Sequence, residues 1–250
     1  MKPIKDKYLN IALDFVYLYE DGILKKKEDQ LIKECITKIS INKRNIEILP
    51  AVDEHIDLLG MGYLYQITEL DNNTLASGEI YGSDYNITVK QFNSWSCMCK
   101  KIFFNEKKLK LLEKSSVELD KDIVFKVFND FNQASENFRR TGALHGAALY
   151  KSNGERISFF EDIARTNVIY KTTGYLIKNK ITEQAVIVLS CRVNTIILNL
   201  LLNVGFTAII TRASVTHEAF EKANKMGIIL IGFIKENRYT IFSGRDKISF

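Results

Sequence analysis

Residues 185–234 read AVIVLSCRVNTIILNLLLNVGFTAIITRASVTHEAFEKANKMGIILIGFI, and this stretch decides the fold. The run 185–189 is short, apolar and rich in β-branched side chains, as a strand buried on both faces requires. An apolar helix follows at 195–203, a second strand at 207–211, and a helix at 216–226 that Gly227 closes. A third strand occupies 228–234, and 239–242 adds an edge partner. Strands alternating with helices predict a largely parallel sheet with right-handed crossovers, so this half of the chain is α/β.

Upstream, Ile123, Val124, Val127, Phe128 and Phe131 recur at helical spacing and predict a core-facing helix. Residues 138–142, Phe-Arg-Arg-Thr-Gly, read as a basic turn. The Asn153-Gly154 pair predicts a hairpin between 147–150 and 157–160. Glu161 and Asp162 then open a helix with Ile163, Asn167, Tyr170 and Gly174 along one stripe. The first half is less regular. Residues 11–19 read as a strand ending at the Asp21-Gly22 turn, and Asp53 is placed to cap a helix through Leu58, Leu59 and Tyr63. Short alternating segments lie within 80–92, and the lysine-rich stretch 105–116 is the candidate boundary between domains.

The chain has 250 residues, 46% hydrophobic, with two prolines, enough to bury a substantial core. Four cysteines are too few for a disulfide framework and suit a reducing, cytoplasmic setting. Asp14 interrupts the first apolar run, so no signal peptide or membrane span is expected. The net charge of +5 is well mixed, and the densest cluster, Lys25 to Lys27, is followed by Glu28 and Asp29. It reads as a solvated turn, and nucleic acid is not expected as a partner.

Chemistry has two candidate locations. Cys97 and Cys99 stand one residue apart in Ser-Trp-Ser-Cys-Met-Cys-Lys, flanked by Lys90, Lys100 and Lys101, which would favour the reactive thiolate. The pair could relay sulfur, hold metal, or simply pack beneath Trp95. The second location is the carboxyl end of the predicted sheet, where open α/β folds bind ligands. Arg192 and Arg212 each follow a strand and precede a helix, an arrangement suited to phosphate or, more blandly, to ordinary surface pairing. His145 could serve as a ligand or base. The zinc deaminases pair His-x-Glu with Pro-Cys-x-x-Cys, whereas here Ala147 stands at the Glu position and the cysteine motif is missing, so no metal is expected.

Read together, 140–149 (Arg-Thr-Gly-Ala-Leu-His-Gly-Ala-Ala-Leu), 161–167 (Glu-Asp-Ile-Ala-Arg-Thr-Asn) with Lys171 and Gly174, Ser190-Cys191-Arg192, and 229–233 (Ile-Leu-Ile-Gly-Phe) resemble the formate dehydrogenase accessory sulfurtransferases. The family's Cys-Gly-x-Cys-Gly is altered: Cys99 takes the second cysteine position, and Ser96 or Cys97 the first. Ala164, Thr166, Tyr170 and Cys191 also depart from the usual residues, and Ala213-Ser-Val-Thr216 replaces Ser-Ala-Pro-Thr.

The resemblance implies an N-terminal α+β domain over 1–112 ending in the cysteine loop, and a cytidine deaminase-like α/β domain over 113–250. It implies a sulfurtransferase that takes persulfide sulfur from a cysteine desulfurase on Cys99 or Cys97. The recipient would be a molybdenum cofactor in its bis-guanine dinucleotide form, destined for formate dehydrogenase. Phe233, Ile234, Lys235, Glu236, Asn237, Arg238, Arg192, Arg212, His145 and Arg165 would hold that cofactor. A homodimer is left open, and a non-catalytic chaperone for the cofactor or its nucleotide is the alternative.

Overall fold

The computed structural model of the chain describes residues 10–89, 110–113, 115, 117–235 and 237–250. Strands β1 (Ile11–Glu20) and β2 (Ile23–Ile32) form a hairpin, followed by β3 (Cys35–Ile41), β4 (Arg44–Ala51), α1 (Ile56–Ile67), α2 (Asn72–Ala76), β5 (Glu79–Tyr81) and β6 (Asp84–Ile87). Next come β7 (Leu119–Asp120), α3 (Lys121–Ala134), α4 (Glu136–Thr141), β8 (His145–Tyr150), β9 (Arg156–Asp162) and α5 (Arg165–Lys178). The chain ends with β10 (Val186–Leu189), α6 (Thr195–Val204), β11 (Ala208–Thr211), α7 (His217–Met226), β12 (Ile229–Lys235), β13 (Arg238–Ser243) and β14 (Ile248–Ser249).

A six-stranded mixed sheet in the order β13-β12-β11-β10-β8-β9 organises the second half. Strands β10, β11 and β12 run parallel, as the alternating sequence predicts; β13 pairs antiparallel with β12 on one side, and the β8–β9 hairpin pairs antiparallel with β10 on the other. Successive residues of a strand face opposite sides, so each central strand feeds two cores. Val186, Val188, Ala208, Ile210, Ile229 and Ile231 pack with Val124, Val127, Phe128 and Phe131 of α3. Ile187, Leu189, Ile209 and Leu230 face the other way, into a core shared with α5, α6, α7 and α1. That core continues to Ile39, Ile41, Tyr85 and Ile87 of the four-stranded sheet β4-β3-β6-β5.

The two halves meet where α1 crosses α5, and two glycines make the crossing possible. A Cβ on Gly62 would lie 1.9 Å from the Tyr170 carbonyl oxygen, and one on Gly174 would lie 2.1 Å from that of Leu58. Beside this crossing lies a buried polar network. Lys171 Nζ is 2.6 Å from Asp162 Oδ2, and both side chains are fully buried. Asn167 Nδ2 donates to Asp162 Oδ1 and to the Pro50 carbonyl, and Lys171 reaches the Val52 carbonyl at 3.5 Å. The backbone N–H of Val52 donates to Asp162 at 3.4 Å.

Several local expectations are corrected. Asp53 does not cap α1: its carboxylate accepts from Ser83, and the cap position belongs to His55 in a left-handed conformation, φ 56°. Glu161 and Asp162 do not open a helix. They extend β9 opposite Gly146 and His145, and α5 starts only at Arg165, because the Asp162 carboxylate is already committed to Lys171 and Asn167. Residues 138–142 are not an irregular turn: α4 spans Glu136–Thr141 and ends at Gly142 with φ 68°. The lysines 25–27 lie in β2, not in a turn. Cys35 opens β3 opposite Ala51.

Candidate functional site

At the carboxyl ends of β11 and β12 the surface opens into a cleft of about 580 Å³, lined by Phe128, Arg212, Ile234, Lys235, Asn237 and Arg238. Each wall has a local cause. The hydrogen bond from the Arg212 N–H to the Leu189 carbonyl fixes the turn after β11, and the one from Phe233 N–H to the Ala213 carbonyl ties that turn to β12. Phe233 occupies φ 51° beside a register shift between Gly232 and Lys235, so β12 is bulged where it reaches the cleft. The chain then turns at Asn237 and returns along β13 from Arg238, which pairs with Lys235. The floor is apolar, from Ile234 and the α3 residue Phe128, both almost fully buried.

Arg212 is held from below: its guanidinium lies 4.8 Å from the ring centroid of Phe138 in α4. That helix is anchored in turn by Glu161, whose carboxylate accepts from the Phe138 N–H at 3.0 Å. Burial pushes the Glu161 carboxyl above the usual carboxylate range, and the bonds from Phe138 and Asn137 pull against that rise. Arg212 is thus supported by a chain of contacts reaching from β9 through α4.

A second cluster borders the first at the start of β8. His145 is half-buried, with Nδ1 3.5 Å from Ser190 Oγ, and Ser190 Oγ accepts from the Gly146 N–H at 2.9 Å. Burial, and then the nearby positive charges of Arg165 and Arg212, hold His145 below its ordinary value, against the opposing pull of Asp162. The imidazole is therefore neutral near pH 7 and can accept or donate one hydrogen bond. Cys191 is buried, and burial raises its thiol to about 11 despite Arg165. Such a thiol is a poor nucleophile at neutral pH.

Of the residues singled out in the sequence, Arg212, Ile234, Lys235, Asn237 and Arg238 come together around the cleft. His145 and Arg165 share the electrostatic neighbourhood of Arg212. Arg192 is exposed in the turn after β10 and does not line the cleft. Phe233 lies against Phe242, with ring centroids 6.1 Å apart, beyond the lining. Cys97, Cys99 and Glu236 lie outside the described residues, as do Lys90, Lys100, Lys101 and Trp95. Sequence reasoning missed Phe138 as the support of Arg212, and it placed Phe128 only as core. The helical stripe that includes Phe128 was the available signal; nothing local announces Phe138. The Ile197 amide at the start of α6 is already satisfied by Asn194 Oδ1.

Three cationic side chains, an amide and an apolar floor suit a ligand with phosphates and a planar base, and the volume is in the usual range for small-molecule sites. Among the described residues no three His, Cys, Asp or Glu side chains gather as a metal site would require. No described helix is long and apolar enough to cross a membrane.

With this geometry established, the chain can be set beside known proteins. The model of the FdhD/NarQ family matches residues 32–249. The chain is 26% identical over 244 residues to the sulfur carrier protein FdhD of Sulfolobus acidocaldarius, covering 92% of this chain and 95% of that one. It is 23% identical over 256 residues to the Bacillus subtilis sulfur carrier protein FdhD, covering 95% of this chain and 97% of that one. A crystal structure from Desulfotalea psychrophila, described as a formate dehydrogenase accessory protein, superimposes with a TM-score of 0.82 at 15% identity, covering 96% of this chain and 99% of that chain, and so shares the fold.

Proposed function

The chain belongs to the FdhD/NarQ family, and from that premise and the basic cleft we propose that it is a sulfur carrier serving formate dehydrogenase maturation. In this reading Cys99 or Cys97 takes the outer sulfur of a persulfide on a cysteine desulfurase. The thiolate attacks that sulfur, a new S–S bond forms as the donor's S–S bond breaks, and the donor leaves as its thiolate. The exchange is redox-neutral.

The recipient is a molybdenum cofactor in guanine dinucleotide form, bound as substrate. Arg212, Lys235 and Arg238 hold phosphate, Asn237 faces a base edge, and Phe128 with Ile234 forms the apolar floor. His145 and Arg165 border this cleft and shape the approach to it. The observation that carries the reading is the convergence of three cations on one cleft, with no carboxylate among its described lining residues, at the strand ends where such sheets bind ligands.

The test is mass spectrometry of the protein after incubation with a cysteine desulfurase and cysteine. The expected result is one added sulfur on Cys99 or Cys97, and Cys99→Ala is expected to abolish maturation of the client dehydrogenase. Full maturation by the Cys97→Ala/Cys99→Ala double variant would exclude sulfur transfer. If guanine nucleotide still binds while neither cysteine gains sulfur, the chain is a non-catalytic chaperone for the cofactor, a reading that needs the cleft but neither thiol.

A further inference from the structure

Neither sulfur transfer nor the lining of the cleft makes use of Glu161, a half-buried carboxylate of β9. It stands opposite Gly146 in the β8–β9 hairpin, and Gly146 is itself tied through Ser190 to the turn after β10. The side chain therefore projects from a rigid strand, and its oxygens meet the first turn of α4.

That turn needs an outside acceptor. The helix α4 has six residues, none of them fully buried. Its cap residue, Ser135, supplies no side-chain bond to the helix, because Ser135 Oγ donates back to the Phe131 carbonyl. The Arg139 N–H bonds to the Ser135 carbonyl, so the Asn137 and Phe138 amides ahead of it have no acceptor within the helix. Glu161 accepts from the Phe138 N–H at 3.0 Å and from Asn137. A strand carboxylate thus does for α4 what a capping side chain does elsewhere, with its negative charge at the positive end of the helix. A helix this short has little stability of its own. The second turn is tied separately, by Arg139 to the Asn132 and Gln133 carbonyls and by Arg140 to Gln30.

Phe138 presents its ring to Arg212, whose guanidinium is 4.8 Å from the ring centroid. Among the described residues this guanidinium has no ion pair and no hydrogen bond, so the ring is what orients it. A long side chain that must be ordered when a ligand arrives costs affinity, and one already held does not. We propose that Glu161 and Phe138 are positioning residues of the cleft: Glu161, through the α4 amides, fixes the Phe138 ring, and that ring holds the Arg212 guanidinium ready for an anionic ligand. Neither residue lines the cleft. Their effect on binding passes through Arg212 alone, and it rests on the nucleotide-binding reading of the cleft given above.

Calorimetric titration with GDP and NMR of isotope-labelled arginine, both on the full chain, test this together. Phe138→Leu, which keeps apolar volume and loses the ring, and Glu161→Ala are each expected to weaken GDP binding about 3- to 10-fold, the effect of disordering one arginine before binding. Phe138→Tyr keeps a ring and should stay within about twofold of the wild type, while Glu161→Gln keeps an acceptor oxygen and should recover part of the loss. In an Arg212→Ala background neither Phe138→Leu nor Glu161→Ala should weaken binding further, whereas a contribution to the fold alone would persist there. The Arg212 guanidinium resonance, identified by its loss in Arg212→Ala, is expected upfield in the wild type because the guanidinium lies over the Phe138 ring. Phe138→Leu and Glu161→Ala should both return it to the position of a solvated arginine. Circular dichroism establishes that each variant is folded; should Glu161→Ala not fold, Glu161→Gln and Phe138→Leu decide. Wild-type affinity in both single variants overturns the proposal, as do losses that persist undiminished beside Arg212→Ala, or an Arg212 resonance that Glu161→Ala leaves in place. A wild type that binds no GDP removes the nucleotide reading instead, and the resonance alone then decides whether Glu161 governs Arg212.

Discussion

At the scale of single residues, the cleft distinguishes two arginines that look equivalent in the sequence. Arg192 and Arg212 both follow a parallel strand, yet only Arg212 lines the cleft, with its guanidinium over Phe138. Arg212→Ala is therefore expected to weaken guanine nucleotide binding about 10- to 100-fold, the loss of a charge-assisted hydrogen bond worth about 1.5–3 kcal/mol. Arg192→Ala should change it far less, and calorimetric titration with GDP distinguishes the two. The histidines make a second residue-scale prediction. His55 is held below its ordinary 6.5 by burial and then by Lys171, with Glu54 and Asp57 opposing; His145 is held down by burial, Arg165 and Arg212. Below pH 6.5 the unfolded chain binds protons that these folded sites resist, so their contribution to stability is complete above pH 6.5 and is lost as pH falls beneath it. Glu161, raised by burial, works in the opposite sense, so the readout is a difference. Denaturant titrations from pH 7.5 to pH 5 should show His55→Gln and His145→Gln losing less stability than the wild type over that interval.

At the scale of elements, what was legible had short-range causes. The strands β10, β11 and β12 and the helices between them follow from period and capping, and Gly227 ends α7 as its position suggests. The errors fell where a distant partner overrides local chemistry. Asp162 looks like a helix opener until Asn167 and Lys171, five and nine residues on, claim its carboxylate. Asp53 looks like a cap until Ser83 takes it. The site behaves alike: Lys235 to Arg238 are contiguous and could be read as a group, whereas Phe138 reaches Arg212 only through the tertiary fold. The α1–α5 crossing is the same kind of hidden feature, because Gly62 and Gly174 are 112 residues apart in sequence. Gly174→Ala would place a Cβ against the Leu58 backbone, where no flexible side chain can yield, and should force the helices apart. A loss of about 3 kcal/mol is expected from overpacking, read as a lower denaturant midpoint with an unchanged slope. A fall of under 1 kcal/mol would mean that the crossing can relax.

At the scale of the whole molecule, the buried polar network decides how the first half of the chain is held to the second. Asp162 and Lys171 belong to β9 and α5, yet each also bonds to the backbone of Val52, and Asn167 reaches Pro50. The apolar core crosses the same boundary, from Ile39 and Tyr85 through α1 to Leu189 and Ile209. A buried ion pair gains little over a well-packed apolar pair, but leaving one member without its partner is costly, about 3–5 kcal/mol. Lys171→Met should therefore destabilise by that amount, because the Asp162 carboxylate would remain in a dry site with only Asn167 and two backbone N–H groups to satisfy it. Adding Asp162→Asn removes the stranded charge and should recover part of the loss, a non-additivity that a double-mutant cycle measures directly. Because the network joins both halves, hydrogen exchange in Lys171→Met should accelerate at amides of β3 and β4 together with those of β10 and β11. Acceleration confined to one half would mean that the network stabilises only its own element, and that the two halves of the chain open independently.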